Sequence, residues 1–383
     1  MTPAAPRILL LSPTVLQYIG GTETVVAQLA RRLAPTCRLT VLGGVCVDRA
    51  APEAPPSNTA PEAMAALGAQ VVTVPFVGRD TALNAALRRA LRLNPFKIES
   101  WSFFRSLARR GFDFGEFDAI VTFYEMDASL LARRYPAVRD RSLHLLPGVS
   151  RRRLFRDVGE RNVVFLGYRG PARVQRKWGL RIPALPLGVD EAFFPPGPRP
   201  LPRARRLAFF GRLDGSKRVD WLTELFAHSD LHARGYTLDI VGDGPLGAML
   251  RSRYGDTPGL RLHARMSPAQ LIELLRDTHL VLHPSELESF GLTVLESMAA
   301  GVPVITHDLP GIRAWAQDRP VYAAHLDRGA WLEAIARFED TRLWLETSAR
   351  NVAFARAFGW QSIADQVFHM LQARSPRPAA ITR

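Results

Sequence analysis

A chain of 383 residues, 47% hydrophobic and 22% charged, has globular composition and exceeds what one hydrophobic core holds, about 250 to 300 residues. Its net charge of +14 brings nucleic acid, a membrane surface or an anionic substrate into consideration as partners. No stretch approaches the roughly 20 apolar residues of a spanning helix, and Cys37 and Cys46 are too few for a disulfide framework and lack metal-site spacing, so a cytoplasmic setting is expected.

Strands and helices alternate from the start, the order that produces parallel sheets covered on both faces. Arg7 to Leu11 reads as a buried strand, a loop with Gly20 and Gly21 follows, and Thr22 to Leu33 sets Val25, Val26, Leu29 and Leu33 at helical spacing. Apolar runs recur at Leu39 to Leu42, Val71 to Val74, Ala119 to Phe123, Leu143 to Leu146 and Val163 to Leu166, giving one doubly wound domain over residues 1–195. The prolines between Pro195 and Arg203 lack amide donors, so residues 196–203 are expected to form a stiff linker. Beyond it, strands are expected at Leu207 to Phe210, Leu238 to Val241, Leu280 to His283 and Pro303 to Thr306, with Ser267, Pro268 and Gln270 making a capping box that opens a helix. A second Rossmann-like domain over 204–355, a helix over 356–373 and a flexible tail over 374–383 complete the order, and the Ala/Pro stretch from Ala50 to Pro61 reads as a mobile loop.

The run from His283 to Val304 carries the strongest chemical signal. A strand ends at Pro284, a turn holds Glu288 and Gly291, and a helix opens near Gly291. The first amides of a helix have no internal partners and sit at its positive end, which suits phosphate. Glu288 and Glu296 have no neighbouring His or Asp to complete a metal shell. They read as acceptors for a vicinal diol, against the alternative of solvated glutamates at a helix end. Arg212 and Lys217 follow the strand ending at Phe210, where open α/β sheets bind ligands. Two cations there suit a diphosphate, with an ordinary basic surface loop as the alternative. Lys217 is one of only three lysines, beside Lys97 and Lys177.

With these motifs in order, the chain resembles glycosyltransferase family 4, retaining enzymes of the GT-B fold. Glu288 and Glu296 around Gly291 match its paired-glutamate motif, Gly211-Arg212-Leu213 with Lys217 its strand-and-loop motif, and Gly242-Asp243-Gly244-Pro245 the loop near the nucleotide. Pro13, Gly20, Gly21 and Glu23 resemble its N-terminal glycine-rich loop, Gly188-Val189-Asp190 with Phe194 its approach to the linker, and Trp360 the start of a helix crossing back to the first domain. The resemblance implies an α/β architecture of two Rossmann-like doubly wound domains facing across a cleft, acceptor on the first and donor on the second. It puts Arg212 and Lys217 on the diphosphate, Glu288 on the sugar hydroxyls, Glu296 on the ribose, and the amides of Gly291 and Leu292 on phosphate. Gly20 and Gly21 would lie against the diphosphate from the opposite wall, with Gly211, Gly242, Gly244 and Phe290 in the donor-binding loops. It implies no metal and no cofactor beyond a UDP- or GDP-sugar donor, with a glycan or lipid-linked acceptor in cell-envelope synthesis.

Some positions depart from that pattern. Phe123-Tyr124-Glu125-Met126-Asp127 stands where many relatives carry a His-containing segment, leaving Glu125 as an acceptor-side candidate or a solvated strand-end carboxylate. Ala264, Arg218 and Leu187 replace residues usual in the family. Rival readings are an inverting transferase, a nucleotide-sugar epimerase and a non-catalytic sugar-nucleotide binder. Nucleic acid is disfavoured, because the basic residues are scattered among acids and not aligned with stacking aromatics.

The surplus charge lies in the first half, where residues 1–195 carry 27 Arg and Lys against 16 Asp and Glu, and the rest 23 against 20. Arginine-rich codon usage is one explanation. Residues 88–110 concentrate it, with Arg88, Arg89, Arg92, Lys97, Arg105, Arg109 and Arg110 against Glu99, interleaved with Phe96, Trp101, Phe103 and Phe104. That mixture fits a peripheral surface for anionic membrane, or equally a helix with its aromatics in the core and its arginines in solvent.

Overall fold

The protein is described from a computed structural model, over residues 5–18, 20–47, 60–148 and 150–374. Most of the Ala50 to Pro61 stretch and the tail from Ser375 lie outside the described residues, while Pro61 opens a short helix, Pro61–Ala66. The chain divides into two compact units, one of Met1–Leu185 with Trp360–Arg383 and one of Pro186–Gly359.

Among the described residues the first unit has seven strands, β1 (Arg7–Leu11), β2 (Arg38–Cys46), β3 (Gln70–Phe76), β4 (Ala119–Thr122), β5 (Ser142–Leu146), β6 (Val163–Leu166) and β7 (Ala184–Leu185). They pair in parallel in the order β3-β2-β1-β4-β5-β6-β7. Continuous apolar strands such as Arg7–Leu11, buried from Ile8 onward, are what a sheet covered on both faces requires. Phe76, Phe103, Phe104 and Phe114 fill the core on one side. Chain order reverses between β1 and β4, so the loops leaving these two strands diverge and open a crevice at their carboxyl ends.

The second unit repeats the plan with β8 (Arg205–Phe210), β9 (Tyr236–Val241), β10 (Leu260–His263), β11 (Leu280–His283), β12 (Val304–His307) and β13 (Val321–Ala323). All pairs are parallel, in the order β10-β9-β8-β11-β12-β13, and the reversal falls between β8 and β11. Its core is built on Leu207, Phe209, Ile240, Trp331 and Trp344. The capping box is present, with Ser267 accepting from the Gln270 amide and the Gln270 side chain accepting from the Ser267 amide.

Two expected boundaries move. The first unit ends at Leu185, ten residues before the expected 195, because Pro186 follows the edge strand β7 and the Pro-rich 196–203 segment belongs to the second unit. Arg199 is the reason. Its guanidinium donates to the carbonyls of Leu275, Arg276, Thr278 and Ala300, orphaned at the C-terminal ends of the helices Pro268–Arg276 and Leu292–Ala299. A segment plugged in this way is part of the fold, not a spacer. The returning helix starts at Trp360 and not at 356, and the Phe358 carbonyl accepts from the Val189 amide within the second unit. Helix Trp360–Gln372 then packs in the first unit, with Ile363, Ala364, Val367 and Leu371 buried.

Candidate active site

In the second unit, the loops leaving β8 and β11 meet at the reversal point. The Glu286 amide donates to the Ser216 carbonyl at 2.9 Å, and the Thr293 hydroxyl donates to the Phe210 carbonyl at 3.2 Å. Asp214 folds the first loop by accepting from the Ser216 amide and hydroxyl at 2.9 and 2.6 Å. It also accepts from Arg212 Nε at 2.8 Å, so Arg212 is braced at its base while its side chain stays 68% exposed. Gly211, Gly242 and Gly244 let this loop lie directly on the one after β9. A Cβ on Gly242 would stand 1.9 Å from the Gly211 carbonyl oxygen, while the Leu213 amide donates to Asp243 O at 2.9 Å.

Gly291 caps the helix Leu292–Ala299 with φ of 90°, a backbone region that favours glycine, and turns the chain sharply from loop into helix. Lys217 Nζ reaches Glu288 Oε1, joining the β8 loop to the β11 loop. His283, the last residue of β11, is buried, and its Nε2 lies 3.1 Å from the same carboxylate oxygen while Nδ1 lies 3.0 Å from the Thr306 hydroxyl. The network fits a tautomer in which Nδ1 accepts from Thr306 and Nε2–H donates to Glu288. Burial pushes the Glu288 carboxyl up, but the His283 hydrogen bond and the Lys217 charge outweigh it and hold the group at about 2. Glu288 is therefore a fixed anion near neutral pH. Glu296 differs: burial, with Asp190 adding repulsion, pushes its carboxyl up to about 7.

Sequence reasoning thus placed Arg212, Lys217, Glu288, Gly291, Leu292 and Glu296 on the elements that meet here, and missed His283, Thr306 and Asp214. The apolar run Leu280 to His283 marked His283 only as the last residue of a strand; its place as the single polar group in that run was the available signal. Phe290 turns out to be structural in its side chain, with the ring buried, stacked on Trp315 at 4.7 Å, and its carbonyl accepting from Trp315 Nε1 at 2.8 Å. Among the described residues no group of three or more His, Cys, Asp or Glu stands as could hold a metal.

In the first unit, Gly20 and Gly21 head the helix Gly21–Leu33. Its first turn carries buried Glu23, which accepts from the Thr14 hydroxyl at 2.8 Å and the Tyr124 hydroxyl at 3.0 Å. The candidate Glu125 opens the helix Glu125–Arg134 and accepts from the Arg151 amide at 3.3 Å. Burial raises its pKa. The 88–110 segment divides along its two helices, Ala82–Leu91 and Pro95–Arg109. Phe103 and Phe104 are core, whereas Leu83, Leu91, Leu93, Phe96 and Trp101 are exposed beside exposed Arg88, Arg89, Arg92 and Arg105. Neither expectation for this stretch holds for all four aromatics. No helix among the described residues is long and apolar enough to cross a membrane.

Comparison with known proteins agrees with this geometry. Residues 204–340 match the family model described as Glycosyl transferases group 1. D-inositol 3-phosphate glycosyltransferase of Segniliparus rotundus is 31% identical over 204 residues, 48% of this chain and 45% of the relative. The chain spans about half the length of the curated relatives it matches. Among solved structures, sucrose-phosphate synthase from Thermosynechococcus elongatus superposes with TM-score 0.69 at 18% identity, covering 96% of this chain and 98% of that one. HepE of Anabaena, solved with UDP and glucose, gives TM-score 0.69 at 15% identity over 96% of this chain and 100% of that one. The match of 204–340 covers β8 to β13 and both loops at the reversal point, so the second unit carries a glycosyl transferases group 1 domain on a chain of GT-B fold.

Proposed function

We propose that the chain is a retaining, metal-independent glycosyltransferase of family 4, moving a sugar from a nucleoside diphosphate to an acceptor hydroxyl. The observation that carries this reading is the Lys217–Glu288 pair across the β8/β11 reversal, beside the N-terminus of the helix Leu292–Ala299. Lys217, Arg212 and the amides of Gly291 and Leu292 take the diphosphate, Glu288 accepts from sugar hydroxyls, and Glu296 accepts from the ribose diol. The UDP named with HepE favours a uridine donor, with GDP the alternative.

Cleavage of the bond from the anomeric carbon to phosphate oxygen leaves positive charge on the sugar and negative charge on the diphosphate. Preorganised donors at the phosphate stabilise that separation, each worth about 2.7 to 4 kcal/mol in comparable sites. The acceptor oxygen bonds to the anomeric carbon on the face the phosphate leaves, and its proton passes to the departing phosphate oxygen. Glu288 is engaged by Lys217 and His283, which suits an orienting anion better than a nucleophile. No cofactor is needed beyond the donor. Incubation with a panel of UDP- and GDP-sugars in chelator is expected to release nucleotide at nearly full rate, with transferred sugar keeping the donor's anomeric configuration. Inverted product, or complete loss on chelation restored by manganese, contradicts the reading.

The acceptor belongs to cell-envelope glycan or glycolipid synthesis, reached from the cytoplasmic face of a membrane. The exposed Leu91, Phe96 and Trp101 among exposed arginines support an anionic bilayer as the partner of the 82–109 hairpin. Each cation near such a surface adds about 1 kcal/mol. Flotation with anionic vesicles at low salt is expected for the wild type and lost when Arg88, Arg89, Arg92 and Arg105 become Gln. Protein that stays in solution beside those vesicles leaves a soluble acceptor.

A further inference from the structure

Two stretches hold all the surplus positive charge of the first 195 residues. Outside 88–110 and 151–181 those residues carry 10 Arg and Lys against 13 Asp and Glu, whereas 151–181 alone carries ten against two. A codon bias toward arginine would spread the excess evenly, so its segregation needs another cause. Residues 151–181 fold into the helices Arg152–Val158 and Arg169–Trp178, which follow β5 and β6. Leu154, Phe155, Val158 and Val174 turn inward into one core cluster, and the Phe155 and Trp178 rings meet edge to face at 6.0 Å, so the two helices lie side by side. Their outer faces expose Arg152, Arg153 and Arg156 on one and Arg173, Arg176 and Lys177 on the other. None of these six forms an ion pair among the described residues. Of the two acids, Asp157 is engaged by Arg133 of the neighbouring helix at 3.1 Å, and Glu160 lies past the helix, in the turn Glu160–Asn162.

This charge is not arranged for stability. Arg152 and Arg156, Arg169 and Arg173, and Arg173 and Lys177 each stand four residues apart on a helix, where like charges repel. Burial and the Arg173 charge together press the pKa of Arg169 down. A polyanion laid on the face relieves that repulsion, and arginine forks suit carboxylate or phosphate oxygens. The exposed hairpin 82–109 sets Leu91, Phe96 and Trp101 among its cations, but 151–181 exposes no large apolar side chain for a bilayer to take up. Nucleic acid would use rings for stacking, and the Trp178 ring packs against Phe155. Both helices start at the carboxyl edge of the first sheet, the edge on which the β1/β4 crevice opens, and β6 is two strand spacings, about 10 Å, from β4. We propose that the outer face of these two helices binds a polyanionic glycan, a chain bearing carboxylate or phosphodiester groups, as the extended part of the acceptor. This rests on the glycosyltransferase reading, in which the first unit takes the acceptor.

The test sets two variants of equal charge against each other, one with Arg152, Arg156, Arg173 and Arg176 made Gln and one with Arg88, Arg89, Arg92 and Arg105 made Gln. Binding of oligogalacturonate, of an oligomer of glycerol phosphate and of neutral dextran is measured by calorimetry on both and on the wild type. The wild type is expected to bind at least one of the two anionic chains and not dextran, with affinity falling at least tenfold from about 50 to 200 mM salt. The helix-face variant should lose at least tenfold in affinity with its melting temperature unchanged, and the hairpin variant less than twofold. Tighter binding of galacturonate places carboxylates in the acceptor, and tighter binding of glycerol phosphate places phosphodiesters there; either upholds the proposal. Equal losses in the two variants would reduce the effect to net charge and overturn it. So would tighter binding of single-stranded DNA than of either chain, or anionic-vesicle flotation lost in the helix-face variant while glycan binding persists. Nucleotide release from the donor panel tests the transferase reading separately, so that absent glycan binding with release intact strikes this proposal alone.

Discussion

The two units share one plan and put it to different chemical use. Each is a parallel sheet whose strand order reverses once, at β1/β4 in the first and β8/β11 in the second, and each gathers polar side chains on the loops leaving those strands. In the second unit the loops carry Lys217, the exposed Arg212 and a helix N-terminus that follows Gly291. In the first, the helix N-terminus is met by its own Glu23, and Arg79 is neutralised by Glu99. Topology fixes where a ligand can sit, while the charge of a few side chains decides what kind of ligand it is.

The largest expected effect falls on chemistry at the second reversal. Lys217→Ala should lower transfer about 10² to 10³-fold, the cost of one preorganised donor. A melting temperature lowered by only a few degrees would place the loss in the site and not the fold. A variant with wild-type turnover would erase the difference between the units.

Next comes the packing that brings the loops together. Ala at Gly242 would drive Cβ against the Gly211 carbonyl oxygen at 1.9 Å, backbone that cannot yield, so a destabilisation of about 3 kcal/mol or more is expected in denaturant unfolding. Ala at Gly20 in the first unit would meet only the end of the Glu23 side chain at 2.7 Å, and should cost about 1 kcal/mol. Equal costs would contradict the account of how the β8 and β9 loops are held.

Arg199→Ala should destabilise the second unit by about 2 to 3 kcal/mol, since it strands carbonyls at two helix ends. Arg199→Lys, with one ammonium for a planar fork, should recover only part of that.

The smallest effect is a pH dependence. The folded value of about 7 for Glu296 lies above its ordinary 4.5, so the folded state holds a proton that the unfolded state has lost. Its stabilising contribution is full below pH 4.5 and disappears as pH rises through 7. Stability measured from about pH 5 to pH 8 should fall by on the order of 1 to 2 kcal/mol more in the wild type than in Glu296→Gln. Parallel curves would place the carboxyl in ordinary solvent.

Much of the fold was legible because both sheets are buried on both faces, which writes each central strand as an apolar run. The edge strands β7, β10 and β13 were not legible: two to four residues long and partly exposed, they carry no run to read. The domain boundary was misread for a physical reason, since proline content signals a stiff segment but not whether an arginine within it finds carbonyls to cap. In the site, spacing led to Lys217 and Glu288 separately, but the hold of His283 on Glu288 depends on parallel register between β11 and β12, which sets Thr306 beside His283. In the first unit, Arg79 lies in a loop and Glu99 on the helix Pro95–Arg109, and no local pattern sets them side by side.

Calorimetric titration with UDP and UMP, or GDP and GMP if the guanosine series binds, tests whether the second unit's reversal point is a diphosphate site. The diphosphate is expected to bind at least tenfold more tightly than the monophosphate, and Lys217→Ala and Arg212→Ala each to remove most of that advantage while leaving monophosphate affinity nearly unchanged. An advantage that survives both substitutions would contradict a diphosphate site there.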